Sequence, residues 1–169
     1  MKPTVSITHI FPEAGLDVLR PHCELLLNTS GKPPEDLARL AAASQGMITC
    51  LSDTIDETII DKGANLKIVA NYAAGYNNIA HKHAGSRGVW VSNTPGVLHE
   101  TTADLTWAMI LGAARRIVPA DKFTREGKFT GWEAKLFLGW DVCGKTLGII
   151  GCGEIGQAVA RRALGFNMT

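Results

Sequence analysis

Cysteine is scarce in this chain and never paired. Cys23, Cys50, Cys143 and Cys152 stand far apart with no Cys-x-x-Cys spacing, which argues against a zinc site or a disulfide framework and for a reduced, cytoplasmic setting. An excess of either charge is missing too. Seventeen basic residues against sixteen acidic ones leave a formal net charge of +1, so neither nucleic acid nor an anionic membrane is expected as a partner. Long apolar runs are absent. The longest, WAMILGAA from Trp107 to Ala114, falls far short of the ~20 residues that span a bilayer. At the amino terminus, MKPTVSITHIFPEAG places Pro3, His9 and Glu13 where a signal peptide needs an unbroken apolar stretch. There is no internal repeat and no low-complexity tract. These absences predict a soluble intracellular protein.

What is present is alternation. A chain of 169 residues is long enough to bury roughly 70% of its unfolded surface. TVSITHI, CELLLN, GMITCL, LKIVAN and VWVSN read as five short strands. Between them lie helical patterns: one from Pro12 to Arg20, PEDLARLAAAS after a TSGKPP turn, DETIIDKG ended by Gly63, and NIAHKHAGSRG. Strand and helix alternating in this way predict a parallel sheet with helices on both faces.

Near residues 94–100 the character changes. HETTADLTWAMILGAARRI, residues 99–117, is the longest helical pattern, with Thr101 or Thr102 as expected caps and Glu100 and Asp104 near the positive end of its dipole. Past its first turn it is apolar nearly all round until Arg115, which predicts cover on two sides or a central place in one core. Pro119 opens a second amphipathic stretch, and the arm TGWEAKLFLGWDVCG follows with Trp132 and Trp140.

The final segment is TLGII, GCGEIG, then EIGQAVARRAL. Strand, Gly-x-Gly-x-x-Gly turn and helix together form the context of a dinucleotide fingerprint. Gly151 permits the tight turn, Gly153 admits a pyrophosphate against the backbone, and Gly156 lets the helix pack on the strand. Free N–H groups near Glu154 and Ile155 would receive the phosphates. The acidic residue that holds the ribose belongs ~20 residues on, and Thr169 is the last residue. The chain reads as one cut within a domain.

NYAAGYNNI, VSNTPGVLHETTADLTWAMILGAARRI and GWDVCGKTLGIIGCGEIGQAVARRALGF together resemble the D-isomer-specific 2-hydroxyacid dehydrogenases, and within them the glyoxylate and hydroxypyruvate reductases. The resemblance implies an α/β fold: an incomplete flavodoxin-like substrate domain over residues 1–98, then the start of a Rossmann NAD(P)-binding domain over residues 99–169. It implies substrate-carboxylate binding by backbone N–H groups of Ala74 and Gly75, with Leu51 in the same cleft. Thr102 would sit near the nicotinamide, and Gly151, Gly153, Glu154, Ile155 and Gly156 would form the pyrophosphate loop. The implied cofactor is NAD or NADP, and the substrate a small 2-oxo acid reduced by hydride transfer. A homodimer is implied through the residue 99–117 helix and the arm after it.

The family's proton-donating histidine, its orienting glutamate and its substrate-binding arginine lie downstream of the glycine loop. None of the five histidines here matches that role, so no catalytic residue is assigned and this chain alone is expected to be inactive. Ala80 and His99 depart from the family pattern, which has an aspartate and a small polar residue there. Relatives that act as peptide-binding corepressors supply the alternative reading, an NAD(H)-responsive binding protein on the same scaffold.

Plainer roles are expected elsewhere. His81 and His83, two apart on a short helix, face different sides and form no metal pair. His99 and Glu100 suit a helix start, and Cys152 reads as a small buried residue. Asn71, Asn77 and Asn78 read as turn residues around Gly75.

Overall fold

A computed structural model describes residues 2–29 and 36–169. Most of the expected turn at 29–34 and the start of the helix expected at 34 lie outside those residues. The chain divides into two compact units at Pro95 and Gly96.

In the first unit the short apolar runs become β1 (Thr4–Ile7), β2 (Glu24–Leu27), β3 (Gly46–Thr49), β4 (Ile68–Asn71) and β5 (Trp90–Ser92). They form one sheet in the order β2-β1-β3-β4-β5, every pairing parallel. That is the flavodoxin-like order. The crossovers carry α1 (Glu13–Leu19), α2 (Leu37–Ala42), α3 (Glu57–Lys62) and α4 (His81–Ser86). Asp36 and Asp56 cap α2 and α3, accepting from Arg39 N at 2.8 Å and Ile59 N at 2.9 Å, which satisfies orphan donors of the first turn.

Register decides which residues enter the core. Met47, Val69 and Val91 lie side by side across β3, β4 and β5 and pack with Leu40, Ile60 and Ala84 of α2, α3 and α4. The neighbouring row, Val5, Gly46, Ile68 and Trp90, points to the other face. Right-handed crossovers in this strand order put α1 on that second face and α2 to α4 on the first. Helices therefore flank both faces, as alternation predicts, but unequally. Ile68 and Trp90 remain 40% and 77% exposed.

The second unit holds α5 (His99–Ala114), α6 (Ile117–Arg125), α7 (Glu154–Ala163) and a 3-10 turn at Leu164–Phe166. Its core is Ala103 and Trp107 of α5 against Ala158, Val159 and Ala163 of α7. The Trp107 indole N–H donates to Val159 O at 3.0 Å, and its ring stacks on Phe166 with centroids 4.6 Å apart. Elsewhere α5 is open, with Leu105 60% and Met109 66% exposed.

Three local expectations change. The cap of α5 is Leu98, so Thr101 and Thr102 lie inside the first turn; the Thr101 hydroxyl donates back to Leu98 O at 3.1 Å, as hydroxyls within helices do. The helix stops at Ala114 because Arg116 adopts a left-handed conformation, φ 55°, and α6 starts at Ile117, leaving Pro119 within a first turn that tolerates it. Residues 146–150 are not assigned as a strand, since a strand needs a partner. One rung exists: Thr169 N donates to Lys145 O at 3.1 Å and Leu147 N to Thr169 O at 2.7 Å, the slanted pattern of a parallel pair. Among the described residues no helix is long and apolar enough to cross a membrane.

Met47 is fully buried and Leu105 is not. Met47→Ala should cost about 2–5 kcal/mol in urea denaturation, and Leu105→Ala should stay within about 0.5 kcal/mol. Equal effects at the two positions would contradict this assignment of the core.

Candidate functional site

In open parallel sheets ligands gather at the carboxyl ends of the strands, and there two loops of the first unit are tied together. After β3, residues 50–53 make a turn closed by Asp53 N on Cys50 O at 3.0 Å, with Leu51 59% exposed upon it. After β4 runs the segment holding Ala74 and Gly75, both exposed. Asn71, only 2% exposed, donates its amide to Gly75 O at 2.8 Å and to Asn78 Oδ1 at 3.0 Å, and Thr49 Oγ1 donates to Asn71 Oδ1 at 3.0 Å. The Asn78 amide crosses to the other loop, donating to Asp53 O at 2.8 Å and Cys50 O at 3.1 Å.

This clamp determines which way the backbone points. Thr94 N donates to Ala73 O at 2.8 Å, Asn93 Nδ2 to Ala74 O at 2.7 Å, and Asn71 to Gly75 O. Three consecutive carbonyls are thus engaged by the scaffold. A trans peptide sets its N–H opposite its C=O, so the N–H groups of Ala74, Gly75 and Tyr76 turn away from it. Among the described residues none of the three has a backbone acceptor. Adjacent, unpaired donors of this kind suit a carboxylate.

The glycine loop lies in the second unit. Gly151 has φ 86°, a conformation open to glycine and strained for other residues. A Cβ at Gly156 would collide with the Gly151 carbonyl oxygen, while one at Gly153 would meet nothing within 4 Å. The turn is therefore tight, its crest is clear, and α7 begins directly behind it with no side-chain cap on its first N–H groups. These are the features a pyrophosphate requires. Glu154 and Ile155 open α7, both exposed. Thr102 is half-buried in α5, its carbonyl accepting from Thr106 Oγ1 at 2.8 Å. Cys152 is exposed, not buried as expected, because it occupies the crest and not the helix contact.

The sequence profile of the D-isomer specific 2-hydroxyacid dehydrogenase family, catalytic domain, matches residues 5–167. The chain belongs to that family. The glyoxylate reductase of Thermococcus gammatolerans is 47% identical over 99% of this chain and 52% of its own length. The crystal structure of the TT0316 protein of Thermus thermophilus superposes with a TM-score of 0.89 at 39% identity, covering 98% of this chain and 54% of that one. A glyoxylate reductase from Paecilomyes thermophila gives a TM-score of 0.79 at 26% identity over 99% and 54% of the two chains. The chain spans about half the length of the curated relatives it matches.

Two features of this dehydrogenase-family chain escape sequence reasoning. One is Asp53, whose side chain is 1% exposed. Its carboxylate accepts from Thr8 Oγ1 at 2.5 Å, Cys50 N at 2.9 Å and His9 Nε2 at 2.9 Å. The only sequence signal is an aspartate after a strand, which reads as a turn residue. The other is the role of the asparagines: Asn71 and Asn78 are the clamp itself. The paired histidines diverge as expected, His81 against the Tyr76 ring at 5.1 Å and His83 onto Asp61 at 2.9 Å.

On the second unit's surface Glu100 meets Arg162 at 2.8 Å and Arg161 at 2.5 Å, and Arg162 Nε also reaches Asp104 at 2.8 Å. The Arg162 hydrogen bond, then the charges of both arginines, hold the Glu100 carboxyl below its ordinary value of 4.5. A depressed carboxylate pKa contributes stability above the unfolded value and loses it as pH falls through the folded one. Urea midpoints should therefore drop as the solution is acidified below 4.5, and Glu100→Gln should flatten that part of the profile. Gly156→Ala, which forces a Cβ into the Gly151 carbonyl, should destabilise by more than about 1 kcal/mol; an unchanged midpoint would contradict the close approach.

Proposed function

We propose that this chain carries the substrate-binding loop and the start of the cofactor domain of an NAD(P)H-dependent reductase, converting a small 2-oxo acid, glyoxylate or hydroxypyruvate, into its 2-hydroxy acid. The observation that carries this reading is the outward row of backbone donors at Ala74, Gly75 and Tyr76, fixed by three inward carbonyls. In a family of 2-hydroxyacid dehydrogenases such a row has an obvious ligand, the substrate carboxylate.

In this reading Ala74 and Gly75 donate to the carboxylate and Leu51, across the Asn78 bridge, flanks the substrate. Gly151, Gly153, Glu154, Ile155 and Gly156 form the loop that holds the pyrophosphate, through backbone N–H groups with the dipole of α7 behind them. NAD(P)H, when bound, supplies the hydride that reaches C2 of the 2-oxo acid. Thr102 lies on the nicotinamide side. Residues 1–98 act as the substrate domain and 99–169 as the beginning of the cofactor domain. The exposed Met109, Val118, Trp132 and Trp140, 66%, 77%, 86% and 81% accessible, support a homodimer through α5 and the arm. A cytoplasmic location accords with the unpaired cysteines.

Three expectations test this. Glyoxylate added to the 169-residue chain should shift the backbone amide resonances of Ala74 and Gly75, whereas an aldehyde without a carboxylate should not; amides that stay still at saturating glyoxylate would reject the assignment. The same chain should oxidise no NADPH with glyoxylate, lacking the family's histidine, glutamate and arginine. In a protein that completes the cofactor domain, Glu154→Gln should leave NADPH affinity unchanged or slightly improved, since it removes a negative charge near an anion; a clear loss would show that the Glu154 carboxylate, and not its backbone N–H alone, holds the cofactor.

A further inference from the structure

We propose that His9 is a positioning residue that sets, through Asp53, the spacing of the two loops at the ends of β3 and β4. The proposal rests on the reading of Ala74 and Gly75 as carboxylate donors and assigns a role to a side chain which that reading leaves unused.

The geometry is a relay of hydrogen bonds. His9 follows β1 and is largely buried, its side chain 21% exposed. An ionised aspartate only accepts, so His9 Nε2 carries the proton and donates it to Asp53 Oδ1 at 2.9 Å, with Ser52 Oγ at 3.3 Å from the same nitrogen. Asp53 Oδ2 takes Thr8 Oγ1 and Cys50 N. With all three donors in place the carboxylate fixes the 50–53 turn from inside. The outer side of the same turn, the carbonyls of Cys50 and Asp53, receives the Asn78 amide, and Asn78 in turn meets Asn71, which holds Gly75. An unbroken series of bonds thus runs from His9 to the carbonyl of Gly75.

The segment after β1 reaches the second loop by another route. Phe11 lies edge-on to Tyr72, ring centroids 5.0 Å apart, and His9 packs against Phe11 at 6.3 Å. His9 and Phe11 therefore touch both loops, one by a charge-assisted hydrogen bond and the other through an aromatic contact. Thr8 and Cys50 N alone do not substitute for His9. They come from a strand end and from the turn itself, and both bind Oδ2, leaving Oδ1 to His9.

The experiment compares His9→Ala and His9→Gln in the 169-residue chain. The Gln amide nitrogen sits the same number of bonds from Cα as His Nε2, so it restores a donor to Asp53 without an imidazole. Removing a donor to a buried carboxylate is worth about tenfold in a linked equilibrium. His9→Ala should therefore bind glyoxylate about tenfold more weakly, with the Leu51 and Gly75 amide resonances displaced before any ligand is added. His9→Gln should recover both. A generally destabilised chain would show a lowered melting temperature without that selective displacement and without rescue, which would overturn the proposal. So would glyoxylate affinity in His9→Ala equal to the parent. If the parent chain binds no glyoxylate, the carboxylate reading fails by itself, and the ligand-free spectra still decide: Leu51 and Gly75 resonances unmoved in His9→Ala reject the role of His9.

Discussion

Peptide planarity is the constraint on which the candidate site depends. A loop can expose its N–H groups only by turning the preceding carbonyls inward, and buried carbonyls need donors. Here three consecutive carbonyls are met by three donors from the ends of two adjacent strands: the Asn71 amide at the end of β4, and the Asn93 amide and Thr94 backbone N–H just beyond β5. Each donor's position follows from sheet register. Ala70 pairs with Ser92, which brings Asn71 level with Asn93 at the ends of adjacent parallel strands. The outward row of N–H groups is thus a by-product of how β4 and β5 finish, and no charged side chain sets its direction.

Burial makes this arrangement stiff. Asn71, Asp53 and Thr49 are each no more than 2% exposed, and a buried polar group left without its partner costs about 1–3 kcal/mol. Such a network tolerates few alternative conformations, because moving one loop strands donors in the other. The glycine loop solves a related problem differently. It offers its N–H groups from a helix start, and its shape comes from missing side chains: a positive φ at Gly151 and the contact of Gly156 with the Gly151 carbonyl.

Much of this was legible in the sequence. Five strands, their alternation with helices, the glycine turn and the long helix, apolar nearly all round past its first turn, follow from local pattern, and the parallel sheet follows from the alternation. The resemblance added the flavodoxin-like class. What stayed hidden is long-range. Asp53 meets Thr8 and His9 across more than forty residues, and in isolation it is a turn aspartate. Asn71 and Asn78 are turn formers by composition and acquire their clamp role only when β3 and β4 lie side by side. The absent strand at 146–150 and the exposed Cys152 are failures of another kind: burial was read from residue type, whereas a strand and a buried crest both require a neighbour.

The long helix shows how a residue pattern can encode two surfaces with different commitments. Trp107 and Ala103 bind α5 to α7, with the indole N–H anchored on Val159. At the rim, Glu100 and Asp104 hold Arg161 and Arg162. These contacts fix the rotation of α5 about its own axis, so Leu105 and Met109 are held outward by the packing of the opposite side. Apolar residues turned outward by a rigid core form a surface of defined shape. A helix that needed its whole circumference for its own fold could not offer one. The nearly continuous apolar character of α5 between its first turn and Arg115 is therefore consistent with one buried face and one presented face, and Trp107, not the exposed residues, determines the geometry of both.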